Sequence, residues 1–529
     1  MKRFLTSFDI EVARSEGRSE LVVDHDTVVT SVAEETANRL GIALVHAGQV
    51  AAAPHVAAIV NPGSPGRASG GPVERLDGLD LLVRGGTVVI PGHGTLRADV
   101  AVRGGKIVAI SSGLPLDLAA GAANVLDASG LYVLPGLIDP HIHLGIFGPL
   151  EEEAATESVS ALIGGVTTVG CFFGGNESHL EKFASLRETI ERYSAVDVVP
   201  HLVLGTERQL EEIPRYVDDL AVTSFKLYMC GVPGVVDEVD DAFMLEAMKR
   251  VAGASKPSVV CVHAENASLV RWFTRKIQES SSGAADLADW ADTHPNIAEE
   301  EAVLRAAYLA EKSGTPVYFV HISTKEGVSA VRRLKKENRL LSAETTSAYL
   351  SMTRESEQGV VAKMLPPFRE QESVDALWEG VGDGTLDTIG TDNVTMTLDV
   401  KNPQAGIWKA MPGFPALATH LPVVLHGGLS RGVSILRVAE LMSRRPAEIF
   451  GLYPRKGSMM PGSDADLVLV DPSKEKVVDH RNLGSRGDFS LYEGKRLRGW
   501  PVATVKSGQI VVRDGKYAGS SGNGRLLRR

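Results

Sequence analysis

Two histidines separated by one residue, His141 and His143, end an apolar run in the segment Gly136-Leu-Ile-Asp-Pro-His-Ile-His143. A His-x-His pair on an extended strand directs both imidazoles to the same face, which is where two ligands of one metal ion must lie. Chance pairs of core histidines also occur. The segment therefore predicts a metal site only if the fold brings further ligands to it.

Four more residues with metal-binding chemistry lie within or at the end of other apolar runs. Lys226 lies inside Ser224-Phe-Lys-Leu-Tyr-Met229, and His263, His321 and Asp392 each end a run. Taken singly, a histidine at a strand end is more often a hydrogen-bonded core residue, and Asp392 is compatible with a helix cap. Lys226 is harder to explain structurally, because an unpaired ammonium is costly to bury. The joint occurrence favours one metal centre.

The elements that would position these residues alternate between strand-like apolar runs and helical stretches. Eight such units predict a (β/α)8 TIM-like barrel, whose strands are continuously apolar because both faces of the sheet are buried. Barrel active sites form at the carboxyl ends of the strands, so the six residues would meet at one mouth. The predicted strands are Tyr132–Asp139, Val166–Phe173, Val198–Leu204, Ser224–Met229, Ser258–His263, Pro316–His321, Leu340–Ala343 and Thr388–Gly390.

Short strand patterns with glycine turns flank the barrel on both sides. They fill residues 78–134 and return within residues 456–529, for example in Ala465–Val470 and Ala503–Val512. The ends of a closed barrel would be placed to let these segments meet. We therefore predict an α/β fold in which a barrel over residues 135–455 carries a small β-sandwich domain built from both chain ends.

Seven segments together resemble the cyclic-amidohydrolase branch of the amidohydrolase superfamily, which contains dihydropyrimidinases, hydantoinases and allantoinases. The resemblance covers residues 78 to about 515 in the family's order, and as a set the motifs are highly specific. They are Gly136-x-x-Asp-x-His-x-His143, the Lys226 segment, His263-Ala-Glu-Asn266, His321-Ile-Ser323, Glu344-Thr-Thr-Ser-Ala-Tyr-Leu350, Pro366-Pro-Phe-Arg369 and Gly451-Leu-Tyr-Pro-Arg-Lys-Gly457.

This resemblance implies a centre of two Zn²⁺ ions, although nitrogen and oxygen ligands also accept Mn²⁺, Co²⁺ or Ni²⁺. His141, His143 and Asp392 would hold one ion, and His263 and His321 would hold the other. Two metals about 3.5–4 Å apart that share a hydroxide make a strong nucleophile near neutral pH. One ion would polarise the substrate carbonyl.

The resemblance also assigns roles to Lys226 and Asp392. Lys226 would react with carbon dioxide to form a carbamate that bridges both ions, which explains why a lysine is buried in an apolar strand. Asp392 would be the catalytic residue, taking the proton from the bridging water and passing it to the leaving nitrogen. The implied reaction is opening of a cyclic amide, imide or ureide C–N bond in a small molecule.

The chain departs from the branch at positions that recognise substrate. Dihydropyrimidinases and hydantoinases carry a tyrosine five residues after the bridging lysine, where it binds substrate and the developing oxyanion; here that position is Gly231. Tyr228 is nearby, but neighbouring strand residues alternate faces, so the sequence does not predict it as the replacement. The histidine that usually follows the metal-binding aspartate is Asn393, and Ala418 and His420 occupy the places of an acidic and a basic residue.

Three residues are candidates for substrate binding: Phe147, Asn393 and Pro366. Phe147 belongs to the loop Leu144–Leu150, which is a candidate apolar lid wall, and packing alone is its alternative role. Because the ring-binding positions are altered, ordinary hydantoin or dihydrouracil specificity is not expected. The same centre acting on a linear amide, carbamate or urea is the alternative reaction.

A non-catalytic scaffold, like the dihydropyrimidinase-like neuronal proteins, is the second alternative. Those proteins have lost metal ligands, whereas this chain keeps all six. Members of the branch are usually homotetramers or dimers, so the resemblance also implies a homo-oligomer.

The first 50 residues form an N-terminal extension, and residues 51–77, rich in Ala, Gly, Pro and Ser, are predicted to be a flexible linker. Ser31 and Glu34 have the spacing of a capping box, and Gly41 suits a helix end. The sequence therefore predicts an amphipathic helix that begins after Ser31 and ends before Gly41. Docking of this helix on the barrel or on a neighbouring subunit is the favoured role. The segment is also faintly similar to cargo helices of bacterial microcompartment enzymes, which implies the alternative, a contact of residues 28–45 with a microcompartment shell.

Composition excludes several classes of partner. The formal net charge is -11 with no basic stripe, so nucleic acid and anionic membranes are not expected partners. No run of about 18 apolar residues occurs, so no membrane span is predicted. Cys171, Cys230 and Cys261 have no paired spacing and are predicted to be buried free thiols in the cytoplasm.

Overall fold

A computed structural model describes residues 78–114, 121–280, 285–520 and 522–529, together with parts of residues 3–46. The chain divides into two compact units, Met1–Arg75 and Leu76–Arg529. The predicted linker over residues 51–77 lies outside the described residues, and so do Ser31 and Glu34.

Eight parallel strands form a closed barrel in the second unit, which confirms the predicted fold class. Each strand pairs with the next along the chain. The eighth strand consists of two short segments, the first paired with the seventh strand and the second with the first strand. In chain order the strands are Leu137–His143, Val166–Phe173, Asp197–Val203, Ser224–Tyr228, Val259–His263, Val317–Phe319, Leu341–Thr346, and Thr388–Gly390 with Asn393–Val394.

Helices follow the strands and cover the barrel. Several begin at well-formed caps: Thr206 forms a capping box with Gln209, and the Thr324 hydroxyl accepts from the backbone N–H of Gly327. The helix Gln371–Asp383 lies between the seventh and eighth strands, after the adjacent prolines Pro366 and Pro367. Among the described residues of the second unit, the α-helices are Leu150–Ile163, His179–Tyr193, Glu207–Asp218, Asp241–Ala252, Ala267–Ser280, Leu287–Asp292, Asn296–Ser313, Lys325–Leu334, Gln371–Asp383, Leu398–Lys401, His420–Ser430, Ile435–Ala439 and Arg445–Ile449.

The predicted first barrel strand, Tyr132–Asp139, is in fact two strands. Tyr132–Pro135 belongs to a separate sheet, and the barrel strand runs from Leu137 to His143. The break falls at Gly136, where a Cβ atom would lie 2.3 Å from Thr167 Oγ1. The chain can pass from one sheet to the other there because glycine leaves room for the close approach.

Strands from both chain ends form one further sheet. Leu467–Val470 pairs antiparallel with Tyr132–Pro135, which joins the late strands to the early ones. Leu81 and Val100 share a buried apolar cluster with Leu467 and Val505. This confirms a small β-domain built from both ends. Its strands are Leu81–Ile90, Gly94–Arg103, Lys106–Ser111, Val125–Asp127, Tyr132–Pro135, Leu467–Val477, Arg496–Lys506, Gln509–Arg513 and Lys516–Tyr517.

The N-terminal unit contains strands that the sequence analysis did not predict. Arg3–Leu5 pairs with Thr27–Val29, and Glu20–Val23 pairs with Ala43–His46, both in parallel. Within the predicted helix Thr36, Ala37 and Leu40 are helical, and Gly41 follows with φ +67°. Ala37 is buried in a cluster with Ile10, Val23 and Ile42, so this helix packs on residues of its own unit.

Two predictions from composition can be compared with the fold. Cys171, Cys230 and Cys261 are all free and buried, as predicted. Among the described residues, no helix has both the length and the apolar character needed to cross a bilayer.

Candidate metal centre

All six predicted ligand residues line one pocket at the carboxyl ends of the barrel strands. They come from the first, fourth, fifth, sixth and eighth strands, which the closed barrel brings together. These residues are His141, His143, Lys226, His263, His321 and Asp392.

Three of them form one compact group of donors. Asp392 Oδ1 lies 3.2 Å from Nε2 of His141 and 3.2 Å from Nε2 of His143. The buried His141 Nε2 has no hydrogen-bond partner among the described residues. Burial holds the pKa of His141 well below its usual value, so its ring is neutral and its lone pair is available. This group has the composition and spacing to hold a metal ion.

Glu344 orients His141 from outside this group. His141 Nδ1 lies 2.8 Å from Glu344 Oε1, which leaves Nε2 directed towards the pocket. The same carboxylate accepts from the backbone N–H of His321 at 3.0 Å and from the hydroxyl of Tyr318 at 2.7 Å. Burial raises the pKa of Glu344 to about 8. One buried carboxylate therefore fixes parts of three strands around the pocket.

His263 and His321 form a second group of donors. Nδ1 of His263 and Nε2 of His321 face each other at 2.9 Å, as two ligands directed at one cation would. On its other side, His263 Nε2 lies 3.1 Å from Glu265 Oε2, and His294 Nδ1 lies 2.9 Å from Oε1 of the same carboxylate. Burial would raise the pKa of Glu265, but His294 and His263 hold it well below the usual range. Glu265 thus fixes His263 as Glu344 fixes His141.

Lys226 lies between aromatic rings at the floor of the pocket. Its side chain is 0% exposed, and its Nζ atom has no hydrogen-bond partner among the described residues. Nζ lies 4.4 Å from the ring centre of Phe172 and 4.8 Å from that of Tyr228. Burial lowers the pKa of Lys226 to about 8. An unpartnered buried amine of this kind fits conversion to an anionic carbamate, which would remove the cost of burying the cation.

Two of these residues have strained backbone conformations. His321 has φ 41° and Asp392 has φ 54°, in the left-handed region that disfavours residues with a Cβ atom. Such conformations cost about 1–3 kcal/mol and persist where surrounding contacts impose them, often at functional sites. The backbone N–H of Asp392 donates to the carbonyl of His141 at 2.9 Å, which holds the strained turn beside the first strand.

Asp139 is part of this support, a role that the sequence analysis did not assign. Its carboxylate accepts from the Thr391 hydroxyl at 2.6 Å and from the backbone N–H of His141 at 3.1 Å. It therefore ties the first strand to the eighth, next to His141 and Asp392. Its position two residues before His141 in the His-x-His motif is the signal that would have indicated this role.

The candidate substrate-binding residues differ in where they lie. Phe147 lines the pocket. Asn393 does not line it: its side chain donates to Thr395 Oγ1 at 3.2 Å and accepts from the backbone N–H of Ala416 at 2.8 Å. The carbonyl of Pro366 accepts from Tyr349, and the preceding Leu365 lines the pocket instead.

The structure explains why the chain has Gly231 where the cyclic-amidohydrolase branch has a tyrosine. A Cβ atom there would lie 2.7 Å from the carbonyl oxygen of Val236 and 2.9 Å from the backbone nitrogen of Glu238, so no side chain fits. Tyr228, which the sequence left unassigned, lines the pocket beside Lys226 because residues two apart on a strand share a face. His420 is buried with Nδ1 3.0 Å from Ser347 Oγ and does not line the pocket.

The donor set fits a pair of divalent cations. Four imidazoles, one carboxylate and one amine able to become a carbamate are nitrogen and oxygen ligands of the kind that zinc and similar ions take. The unpartnered His141 Nε2 and Lys226 Nζ show that hydrogen bonds among the described residues do not account for these atoms. The groups around His141 and His263 are the two halves of this set.

The sequence model of the Amidohydrolase family matches residues 132–511, so the chain belongs to the amidohydrolase family. The resemblance to its cyclic-amidohydrolase branch is confirmed by the relatives. The chain is 31% identical over 470 residues to a D-hydantoinase of Ralstonia pickettii, covering 85% of this chain and 99% of that protein. It is also 31% identical over 465 residues to an L-hydantoinase of Paenarthrobacter aurescens, covering 85% and 98%.

Solved structures agree with the sequence relatives. The dihydropyrimidinase of Brevibacillus agri superposes with a TM-score of 0.78 at 29% identity, covering 85% of this chain and 98% of that one. A D-hydantoinase structure gives a TM-score of 0.78 at 31% identity, covering 85% and 99%. The barrel and the β-domain are therefore those of this family.

Proposed function

We propose that this protein is a binuclear metal-dependent hydrolase that opens the C–N bond of a cyclic amide, imide or ureide. The observation that carries the proposal is the convergence of two donor groups around an unpartnered, fully buried Lys226. The hydantoinase and dihydropyrimidinase relatives support the reaction class, because enzymes with these names hydrolyse cyclic amides.

Each donor group would hold one Zn²⁺ ion. His141, His143 and Asp392 would bind the first, and His263 and His321 the second. Lys226, as a carbamate, would contribute to both. When bound, the two ions supply an activated water near neutral pH and polarise the substrate carbonyl.

The protein's own groups organise the rest of the reaction. Asp392 accepts the proton of the attacking water and returns it to the ring nitrogen as the new C–O bond forms and the C–N bond breaks. Glu344 and Glu265 keep His141 and His263 in the orientation that directs one nitrogen of each ring to the centre. Phe147 contributes an apolar wall for the substrate body.

A rate screen with the zinc-loaded, full-length protein tests the proposal. The panel contains hydantoins, dihydropyrimidines, imides, lactams, allantoin and linear ureides. Ring opening of at least one cyclic compound is the expected result. If only linear compounds are hydrolysed, the linear alternative replaces the cyclic substrate. If the protein binds no zinc and hydrolyses none of the compounds, the enzyme assignment is wrong.

Assembly into a homo-oligomer is part of the proposal. The resemblance to the branch implies a tetramer or dimer, and large apolar side chains are exposed on two helices, namely Trp272 on Ala267–Ser280 and Ile297 and Tyr308 on Asn296–Ser313. Light scattering of the wild type and of Ile297→Asp would test this. The expected result is an oligomer that dissociates in the variant.

A separate part of the molecule would precede the barrel and the β-domain. It would consist of the N-terminal extension, residues 1–50, and the linker, residues 51–77. Deletion of residues 1–75 tests its role. Loss of the oligomer would support docking on a neighbouring subunit. Unchanged activity and assembly would support the alternative, a targeting contact such as that of residues 28–45 with a microcompartment shell.

A further inference from the structure

Apart from the six metal-ligand residues, the described lining of the pocket is almost entirely apolar. A substrate amide has a carbonyl oxygen and N–H groups that need polar partners once water is displaced. Only one of the remaining side chains offers such a partner, the hydroxyl of Tyr228. The other lining residues are Ile146, Phe147, Val232, Val235, Met364, Leu365, Val394, Pro412 and Gly413.

Tyr228 is held rigidly at this position. It is the last residue of the fourth strand and lies on the same face as Lys226. Its ring stacks on that of His263, with centroids 5.4 Å apart and an interplanar angle of 29°. Tyr228 packs in the same apolar cluster as Phe172, and Val232 packs against this cluster. Its backbone carbonyl accepts from the N–H of Val239 at 2.8 Å, so the ring has little freedom.

The hydroxyl of Tyr228 makes no hydrogen bond with the described residues. It is also not one of their polar atoms that are both unpartnered and fully shielded from solvent. It is therefore open to the pocket. Most other buried tyrosine hydroxyls here are engaged, for example Tyr318 with Glu344 and Tyr492 with Ser351. A rigid aromatic ring that presents a free hydroxyl beside the candidate metal ligands is a preorganised hydrogen-bond donor.

The turn after Tyr228 supplies no competing donor. Val232 and Val236 are joined by a pair of backbone hydrogen bonds, 2.8 and 3.0 Å long, and this turn contributes only valine side chains to the pocket. At Gly231 the backbone of residues 236–238 fills the space that a side chain would need. A side-chain donor from this segment can therefore come only from Tyr228.

We infer that the Tyr228 hydroxyl is the donor that binds the reacting carbonyl oxygen and stabilises the negative charge that develops on it. This inference rests on the proposed function. A phenol is protonated at neutral pH and can donate one hydrogen bond without giving up its proton. As water adds to the carbonyl carbon, the oxygen gains charge and the hydrogen bond strengthens, so the effect falls mainly on kcat.

The test compares Tyr228→Phe with the wild type and with Tyr492→Phe. Tyr492 is also buried and also loses a hydroxyl, but it lies outside the pocket lining. For Tyr228→Phe we expect unchanged metal content, little change in KM, and a fall in kcat of about 10²-fold on the best cyclic substrate. Calorimetry with N-carbamoylphenylglycine, a ring-opened carboxylate, should show binding about 10-fold weaker than in the wild type.

The calorimetric measurement separates this inference from the proposed function. If Tyr228→Phe keeps the wild-type kcat and the wild-type affinity for N-carbamoylphenylglycine, the assignment of Tyr228 is wrong. If the wild type hydrolyses nothing but binds this compound, and Tyr228→Phe binds it more weakly, the donor assignment holds and the proposed function fails. If the wild type neither hydrolyses nor binds, both fail.

Discussion

Two buried clusters of charged and metal-binding side chains lie in the second unit, and they differ in how their charges are balanced. The first is the candidate metal centre around Lys226. The second, which we call the ionic cluster, groups the carboxylates of Asp197, Asp464 and Asp466 and lies next to the β-domain strands. Both have the composition of a metal site when their carboxylates and histidines alone are considered.

In the ionic cluster, cationic side chains already occupy the place of a metal ion. Lys456 Nζ lies 2.5 Å from Asp197 Oδ2 and 3.1 Å from Asp464 Oδ2, and it also contacts Asp466. Lys506 Nζ lies 2.9 Å from Asp197 Oδ2. The carboxylates are therefore paired, whereas in the candidate metal centre Lys226 Nζ and His141 Nε2 have no hydrogen-bond partner among the described residues.

The two buried lysines show the same difference. Burial alone would lower the pKa of Lys456, but Asp466, Asp197 and Asp464 raise it above the usual value for lysine. Burial lowers the pKa of Lys226 to about 8, and no carboxylate pairs with it directly. Burial of a charged group is thus by itself no sign of function; burial without a partner is the informative observation.

The largest expected effect is that of Lys226→Ala. The variant should lose metal and activity together, with a fall in kcat/KM of more than about 10³-fold, because the carbamate would be a shared ligand. Acetate or another short-chain acid should restore part of both by supplying the missing oxygens. Metal analysis and steady-state rates check this. Full metal content and full rate in the variant would contradict the bridging assignment.

Lys456→Met should have a different outcome. It removes the cation that pairs with Asp197, Asp464 and Asp466, so the free energy of unfolding should fall by about 3–5 kcal/mol. The folded variant should keep its metal content. Urea unfolding measures the loss. The control is Lys106→Met, since Lys106 is a half-exposed partner of Asp464 and its loss should cost no more than about 1 kcal/mol.

Glu344→Gln tests the support of His141 without removing a ligand. Glutamine keeps one acceptor oxygen and replaces the other with an amino group, so it cannot accept from both His141 Nδ1 and the Tyr318 hydroxyl, and metal affinity should fall by about 10–100-fold. Titration with a competing chelator measures the affinity. An affinity equal to that of the wild type would show that Glu344 does not orient the ring.

The smallest effect is the contribution of Asp464 to acid stability. Burial would raise its pKa, but Lys456 and Lys106 lower it from 3.8 to about 2. A carboxyl group whose pKa is lowered by folding stabilises the folded protein at pH values above its pKa in the unfolded state. This stabilisation is lost as the pH falls through its pKa in the folded state. Between pH 4 and pH 2 the wild type should therefore lose more stability than Asp464→Asn, by at most about 2 kcal/mol. Equal slopes in urea unfolding would contradict this.

The sequence predicted the fold and the grouping of the six pocket residues because both depend on local patterns. Each ligand candidate ends or interrupts an apolar run, and barrel topology requires strand ends to meet. It did not predict the pairing of Glu344 with His141, which joins residues 203 positions apart, or the tie from Asp139 to Thr391. The motif could single out Asp139 but not its partner, because these pairings depend on the register of the seventh and eighth strands, which no local pattern specifies.

Tyr228 shows a second limit. The inference from strand alternation that left Tyr228 unassigned was wrong, because residues two apart share a face and Tyr228 lines the pocket with Lys226. Whether its hydroxyl is free depends on every neighbour in the pocket. The N-terminal strands show a third, because strands of three or four residues carry too little periodic signal to be recognised.

We propose that the pocket around Lys226 holds two metal ions, whereas the ionic cluster holds none. Elemental analysis of the full-length protein, purified from zinc-supplemented cultures, tests it most directly. We expect two ions per chain in the wild type and in the folded Lys456→Met protein, and loss of both in Lys226→Ala. A wild-type protein with no bound metal, or a Lys226→Ala protein with two ions per chain, would show that Lys226 is not part of a two-metal site.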